Sequence, residues 1–166
     1  DEVDLGIVSF PEGRRGLDVI PLRNERMVVA CHPQHPLAKE KAIAVRQLAG
    51  EAFVGFEPGL VIRKKIDSFL REHGAEVKVV MAFDNVEAVK RAVEVGSGVA
   101  ILPRPTLEHE LQAGTLVAVE FATQRFVRPL GIVYRHGRRL LPNSEAFIEL
   151  LQQGGSGHPG KERVFS

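Results

Sequence analysis

The sequence predicts an α/β fold, and three observations carry that expectation. Apolar runs of strand length alternate with segments whose apolar residues recur at helical spacing. Gly- and Pro-rich turns separate many of these segments. Over 166 residues, 44% are hydrophobic and 26% charged, the balance of an ordinary globular chain of one domain or two small lobes.

Composition also excludes several classes. Lys and Arg number 22 against 21 Asp and Glu, a net charge of +1. No strongly basic nucleic-acid surface is therefore written into the composition. The longest apolar runs, such as Met27 to Cys31 and Val79 to Phe83, are five residues, whereas a membrane helix needs about twenty. The single cysteine, Cys31, excludes an intramolecular disulfide and a zinc site of several thiolates. Asp1-Glu2-Val3-Asp4 has neither a basic n-region nor an apolar h-region, so no signal peptide is read there and a cytoplasmic setting is expected. The chain enters a strand-like segment directly, without an initiator Met, as if entered within a domain.

The elements are expected in this order. Leu5 to Val8 is a strand closed by the turn-rich Ser9 to Gly13. Leu17 to Leu22 is a second strand. Arg26 to His32 is a third, continuous enough to be buried on both faces. Two prolines in His32-Pro33-Gln34-His35-Pro36-Leu37 end any ladder. A short helix is expected at 45–49 and a strand from Ala52 to Phe56. Glu57-Pro58-Gly59 turns into a helix from about Leu60 to His73, with Gly74 at its end. Its stripe is Ile62, Ile66, Phe69 and Leu70. After a strand from Val77 to Phe83, Asp84 is expected to cap a helix, with Glu87 completing a capping box. Val86, Val89 and Val93 form that helix's stripe. Gly96-Ser97-Gly98 stops it, followed by a strand at Val99 to Leu102. A short helix after Pro105, strands at Thr115 to Phe121 and Leu130 to Tyr134, and a helix from Pro142 through Ala146, Phe147, Leu150 and Leu151 complete the order. The Gly/Ser/Pro- and charge-rich end of the chain, 153–166, reads as a disordered tail. Largely parallel sheets are expected, with ligand-binding loops at strand C-termini, here Phe56 to Leu60 and Phe83 to Asn85.

Several constellations weigh against special chemistry. Cys31, His32 and His35 lack the convergence of a metal set, since strand alternation sends Cys31 and His32 to opposite faces. Cys31 in Met-Val-Val-Ala-Cys reads as a small buried hydrophobe rather than a nucleophile. The glycines at 96 and 98 follow a helix and precede a strand, the reverse of a phosphate-binding turn. Arg23, Arg26, Arg125, Arg128, Arg135, Arg138 and Arg139 read as a solvated face or as partners of nearby glutamates. Arg63 lies near a helix start, an unfavourable place for a cation, and reads as a surface or structural pair.

An ordered set of segments resembles the effector-binding domain of the LysR-type transcriptional regulators. It comprises Asp4-Leu5-Gly6-Ile7-Val8, Leu22-Arg23-Asn24-Glu25-Arg26 leading into Val28-Val29-Ala30, and His32 to Leu37. Leu48, Phe53 to Phe56, Arg63 to Leu70, Val86 to Gly98, Ile101-Leu102-Pro103, Gly114 to Val117 and the Phe147 helix complete it. The set spans about residues 1–152.

The resemblance implies a two-lobed fold like a type 2 periplasmic binding protein, with a small-molecule cleft. The first lobe would be 1–25 with 103–152, incomplete in this chain, and the second 26–102. It implies an effector site at Ser9, Phe10, Phe56, Glu57, Pro58, Gly59, Leu60, Asp84 and Asn85. Ser9 stands where relatives that read aromatic-pathway acids can carry an arginine, which argues against a muconate-like effector. Helix starts favour an acidic ligand, while Glu57 and Asp84 oppose one. No cofactor, metal or membrane partner is expected. DNA would be met only through a separate helix-turn-helix domain, and the chain would form a homodimer or tetramer, because the edges of Leu5–Val8 and Leu130–Tyr134 would lack neighbours. Two other functions share the fold. A periplasmic solute-binding protein would need a signal peptide upstream. A prephenate-type dehydratase would carry Thr-Arg-Phe, which here is interrupted as Thr123-Gln124-Arg125-Phe126.

Overall fold

The computed structural model describes residues 5–11, 15–123, 125–137 and 141–154. In chain order its strands are β1 (Leu5–Ser9), β2 (Leu17–Cys31), β3 (Ala42–Ile43), β4 (Ala52–Phe56), β5 (Lys78–Phe83), β6 (Ala100–Pro103), β7 (Val117–Phe121) and β8 (Val127–Arg135). The helices are α1 (Val61–Glu72), α2 (Val86–Glu94), α3 (Glu108–Ala113) and α4 (Pro142–Gly154). Short 3-10 turns occupy Pro36–Lys39, Val45–Leu48 and Arg104–Leu107. No helix among the described residues is long and apolar enough to cross a membrane.

The chain forms two compact units, 1–24 with 129–166, and 25–128. It passes between them within β2 and within β8. Residues 103–128 thus group with the second unit and not, as the sequence reading expects, with the first. The cause is pairing: β7 lies antiparallel to β2, Val29 opposite Val119, and carries β3 parallel on its other side. The separate strands expected at 17–22 and 26–32 are one continuous strand. No residue of Arg23-Asn24-Glu25 needs a turn, because buried Glu25 finds its countercharge in Arg128, which donates through both Nε and Nη2.

In the first unit β1 pairs antiparallel with β8, Leu5 opposite Tyr134 through Ser9 opposite Leu130. These strands therefore supply each other's neighbour, contrary to the expectation of two lone edges. On α4 the buried residue is Ile148, flanked on its face by half-buried Ser144 and Leu151. Phe147 and Leu150 are exposed. Residues 153 and 154 close this helix, so the expected tail begins later; 155–166 lie outside the described residues.

The second unit holds the main core. β2 is the central strand there, with β6 antiparallel on one side and β7 on the other. β4 and β5 form a separate parallel pair joined by α1, a β-α-β unit. Among the described residues, antiparallel pairs (β1–β8, β2–β6, β2–β7) outnumber the parallel ones (β3–β7, β4–β5), so the expectation of largely parallel sheets fails. The helical stripes are confirmed. Ile66 and Val89 are 1% and 0% exposed, and Phe69, Leu70 and Val93 are buried with them.

A single glycine decides how β4 is held on its far side. Val54 N–H donates to Val99 O and Val99 N–H to Ala52 O, both at 2.8 Å. The chain before Val99 then runs so close that a Cβ on Gly98 would stand 2.4 Å from Ala52 O. The sequence reads Gly98 only as part of a helix stop. That stop is Gly96, at φ 79, with Ser97 N–H reaching back to Ala92 O.

Helices α2 and α3 are locked by a buried ion pair. Lys90 Nζ lies 2.9 Å from Glu110 Oε1 and 2.9 Å from Glu87 Oε1, and donates to Thr106 O at 3.0 Å. Burial alone would raise the Glu110 carboxyl, but the Lys90 hydrogen bond and charge outweigh it and hold it below its ordinary range. Burial likewise pulls Lys90 down, and its two glutamates hold it above its ordinary value.

This pair generates a stability prediction. Lys90→Met leaves a buried carboxylate without its cation and should cost about 2–3 kcal/mol at pH 7, at or below the usual low end because Glu87 is exposed. Lys90→Met/Glu110→Gln should recover at least half. A depressed carboxyl stabilises the fold above its unfolded pKa and loses that contribution as pH falls through the folded value. A raised ammonium does so below its unfolded pKa and loses it as pH rises through the folded value. The difference between wild type and the double variant should therefore be flat near neutrality and shrink at both extremes. Urea unfolding across pH checks this; a single-variant cost that the double variant leaves unchanged would contradict it.

Candidate functional site

The parallel pair gathers two loops at one edge. Phe56 stands opposite Phe83, the last residues of β4 and β5. Glu57 N–H donates to Phe83 O at 2.9 Å, carrying the ladder one residue further. Residues 57–60 therefore leave beside 84–85, each loop leading into a helix.

The two helix starts differ chemically. At α1 the N-cap position is Leu60, whose side chain cannot accept a hydrogen bond. Leu60 N–H reaches Glu57 O only at 3.4 Å, and the first helical bond is Lys64 N–H to Leu60 O at 3.2 Å. The amides of Val61, Ile62 and Arg63 thus open the helix with no capping side chain, where the macrodipole is positive. At α2 the cap is Asn85, which accepts from Ala88 N–H at 2.9 Å. Asp84, expected as the cap, instead accepts from Asn85 Nδ2 at 2.7 Å. The capping box fails with it, and Glu87 pairs with Lys90. Asparagine wins because the helix begins one residue later than the sequence suggests, at Val86. Of these two helices, α1 is the one that starts uncapped.

The candidates sort accordingly. Glu57, Pro58 and Gly59 are exposed and Leu60 half-buried. Gly59 has φ 100, and a Cβ there would meet nothing within 4 Å. Backbone conformation, not space, requires the glycine. Phe56 is 3% exposed, so its ring belongs to the core and only its carbonyl faces the loop. Asp84 and Asn85 are exposed and bound to each other. Ser9 and Phe10 belong to the first unit, both half-buried. Phe10 has φ 50, the positive-φ residue other than glycine among those described, and its N–H donates to Pro129 O at 2.8 Å. Such a conformation costs about 1–3 kcal/mol and concentrates at functional positions.

Arg63, read from the sequence as a surface or structural pair, is a structural one. Its Nη1 donates to Phe56 O at 2.7 Å, and its Nε to both carboxylate oxygens of Asp67 at 2.8 Å. Gly55 leaves room for it, since a Cβ there would lie 3.4 Å from Nη1. The guanidinium is spent on holding the end of β4 to α1. The i,i+4 spacing of Arg63 and Asp67 is the signal available in the sequence.

Elsewhere, Cys31 is wholly buried and burial pushes its thiol up to about 11. The His32 and His35 rings accept from Gln34 and Leu37 N–H through Nδ1. These side chains stabilise a strand end and a turn.

The unit is a mixed α/β one in which a β-α-β frame sets an uncapped helix start at one edge. The chain belongs to the LysR substrate binding domain family, which matches residues 1–156. It is 34% identical over 151 residues to the RuBisCO operon transcriptional regulator of Allochromatium vinosum, covering 91% of this chain and 50% of that protein. It is 32% identical over 148 residues to the regulator of the same name from Acidithiobacillus ferrooxidans, covering 89% and 48%. Among solved structures it is similar to the CcmR regulatory domain of Synechocystis PCC6803 in complex with 2-PG, with 27% identity, a TM-score of 0.84, and 96% of this chain and 76% of that one covered. The fold is thus the periplasmic-binding-protein-like one that the resemblance implies. The chain spans about half the length of the curated relatives it matches.

Arg63→Lys should test the buttress. Lysine keeps the charge but cannot serve Phe56 O and both Asp67 oxygens at once. We expect a loss of about 1–2 kcal/mol and faster amide exchange at Gly59 to Ile62, measured by hydrogen–deuterium exchange. Unchanged exchange in that loop would refute the role.

Proposed function

We propose that this chain is the effector-sensing part of a LysR-type transcription regulator, in which a small acidic metabolite binds against the start of α1. One observation supports this most: α1 opens with amides that no side chain caps, at the edge where a β-α-β unit collects its loops. Gly59 and Leu60 with the first turn of α1 would take the acid group, and Glu57, Pro58, Asp84 and Asn85 would form its surroundings.

The relatives named as transcriptional regulators favour a regulatory, non-enzymatic role and a DNA-binding domain elsewhere in the protein. The complex of CcmR with 2-PG (2-phosphoglycolate) favours a small phosphorylated or carboxylic acid as effector. A homo-oligomer working in the cytoplasm completes the proposal. Support for the oligomer is the exposed Ile7 on β1 and exposed Val79, Val80 and Met81 on β5, strands that among the described residues each have a neighbour on one side only.

Calorimetry with 2-phosphoglycolate on the 166-residue chain tests this reading. Saturable binding with Kd below about 1 mM is expected. Gly59→Val should weaken it at least about tenfold, because a β-branched residue resists positive φ and the turn must rearrange. Glu57→Gln should tighten it about two- to fivefold by removing a negative charge beside the anion. No saturable heat from folded protein, or an unchanged Kd in both variants, would overturn the proposal.

A further inference from the structure

A second concavity lies at the other end of the 25–128 unit's chain path, between β7 and β8, and shares no residue with the loops after β4 and β5. Its volume is about 410 Å³, within the usual range of about 300–1,000 Å³ for small-molecule pockets. Its apolar wall is built from Met27, Phe121 and Phe126, and its rim carries Arg26, Glu120, Thr123 and Arg125.

The aromatic wall is rigid. Phe126 stacks on Phe69 of α1 with centroids 4.4 Å apart and planes at 17°. Phe121 meets the same ring edge-on at 5.1 Å. Phe69 is itself buried, so both rings are fixed from behind while they line the concavity. Met27 is almost wholly buried and closes the floor, its N–H donating to Phe126 O at 2.9 Å.

The charged pair on the rim is Arg26 with Glu120. Arg26 Nη1 lies 3.4 Å from Glu120 Oε1, and its side chain is 57% exposed. That is longer than the 2.7–2.9 Å of a tight charge-assisted bond. A guanidinium has five N–H donors, so this pairing leaves Arg26 able to take a second carboxylate.

We propose that this concavity is a second ligand site, for a monocarboxylic acid with a flat apolar body. Its ring or branched chain would lie against Phe121 and Phe126, and its carboxylate would meet Arg26. Glu120 would act as a competitor that the ligand displaces from Arg26. The site is independent of the acid site proposed at α1.

Phenylacetate, with 2-phenylethanol as its uncharged counterpart, is a suitable probe in amide NMR titrations of the whole chain. Phenylacetate should shift Met27, Ala122, Thr123 and Phe126 saturably and leave Gly59 to Arg63 unmoved. Phenylethanol should bind at least about tenfold more weakly. Arg26→Met should weaken phenylacetate by a similar factor, and Glu120→Gln should tighten it two- to fivefold, a gain that a merely structural ion pair would not give. Ala122→Leu, at an exposed position on the rim, should block the site without touching either charge and keeps the test valid if Arg26→Met unfolds. No saturable shift up to 10 mM probe, shifts confined to Gly59 to Arg63, or equal binding of acid and alcohol would overturn the proposal.

Discussion

The acid site proposed at the start of α1 depends on how the backbone of β4 is held. On one side it pairs in parallel with β5 up to Phe56 and Phe83. On the other it exchanges hydrogen bonds with Val99, an approach that only the missing side chain of Gly98 permits. A strand fixed from both sides has a fixed end. The turn at Glu57 to Leu60, the start of α1 and the neighbouring start of α2 inherit their places from it. Arg63 then ties that end to the helix it feeds, so the loop is braced by a side chain that never has to touch a ligand.

The contrast between the two helix starts gives the edge its chemistry. An asparagine at α2 satisfies its own helix, and the adjacent aspartate is satisfied by the asparagine. A leucine at α1 satisfies nothing, which leaves a positive end of a twelve-residue dipole facing outward. Glu57 and Asp84 stand nearby but exposed. Water and salt weaken their field over about 8 Å, so they moderate the attraction for an acid without abolishing it.

Much of this frame was legible in the residues, and the rest was hidden for identifiable reasons. The stripes of Ile66 and Phe69 and of Val89 and Val93 announce α1 and α2, because helical spacing is a local signal. Ala52 to Phe56 is legible in the same way. β2 was divided in two because Glu25 looks like a turn residue until Arg128, 103 positions away, supplies its charge. Strand direction is equally non-local, which is why antiparallel pairings replaced the parallel ones expected. The helix from Pro142 is legible, but not which face it buries, because apolar residues lie on several sides of it and spacing cannot choose among them. At the candidate site, the loops 57–60 and 84–85 are legible as strand ends that open into helices, while the cap at Asn85 and the Phe56 carbonyl held by Arg63 depended on a helix starting one residue later and on a fixed strand end.

The central claim is that an acid is held by backbone amides at the start of α1, and not at the start of α2. Nitrogen-15 amide spectra of the chain titrated with 2-phosphoglycolate test it most directly. The account predicts large, saturable shifts at Val61, Ile62 and Arg63, with Ala88 unmoved because Asn85 already occupies its N–H. Shifts centred on Ala88, or saturable binding that leaves Val61 to Arg63 unchanged, would contradict it.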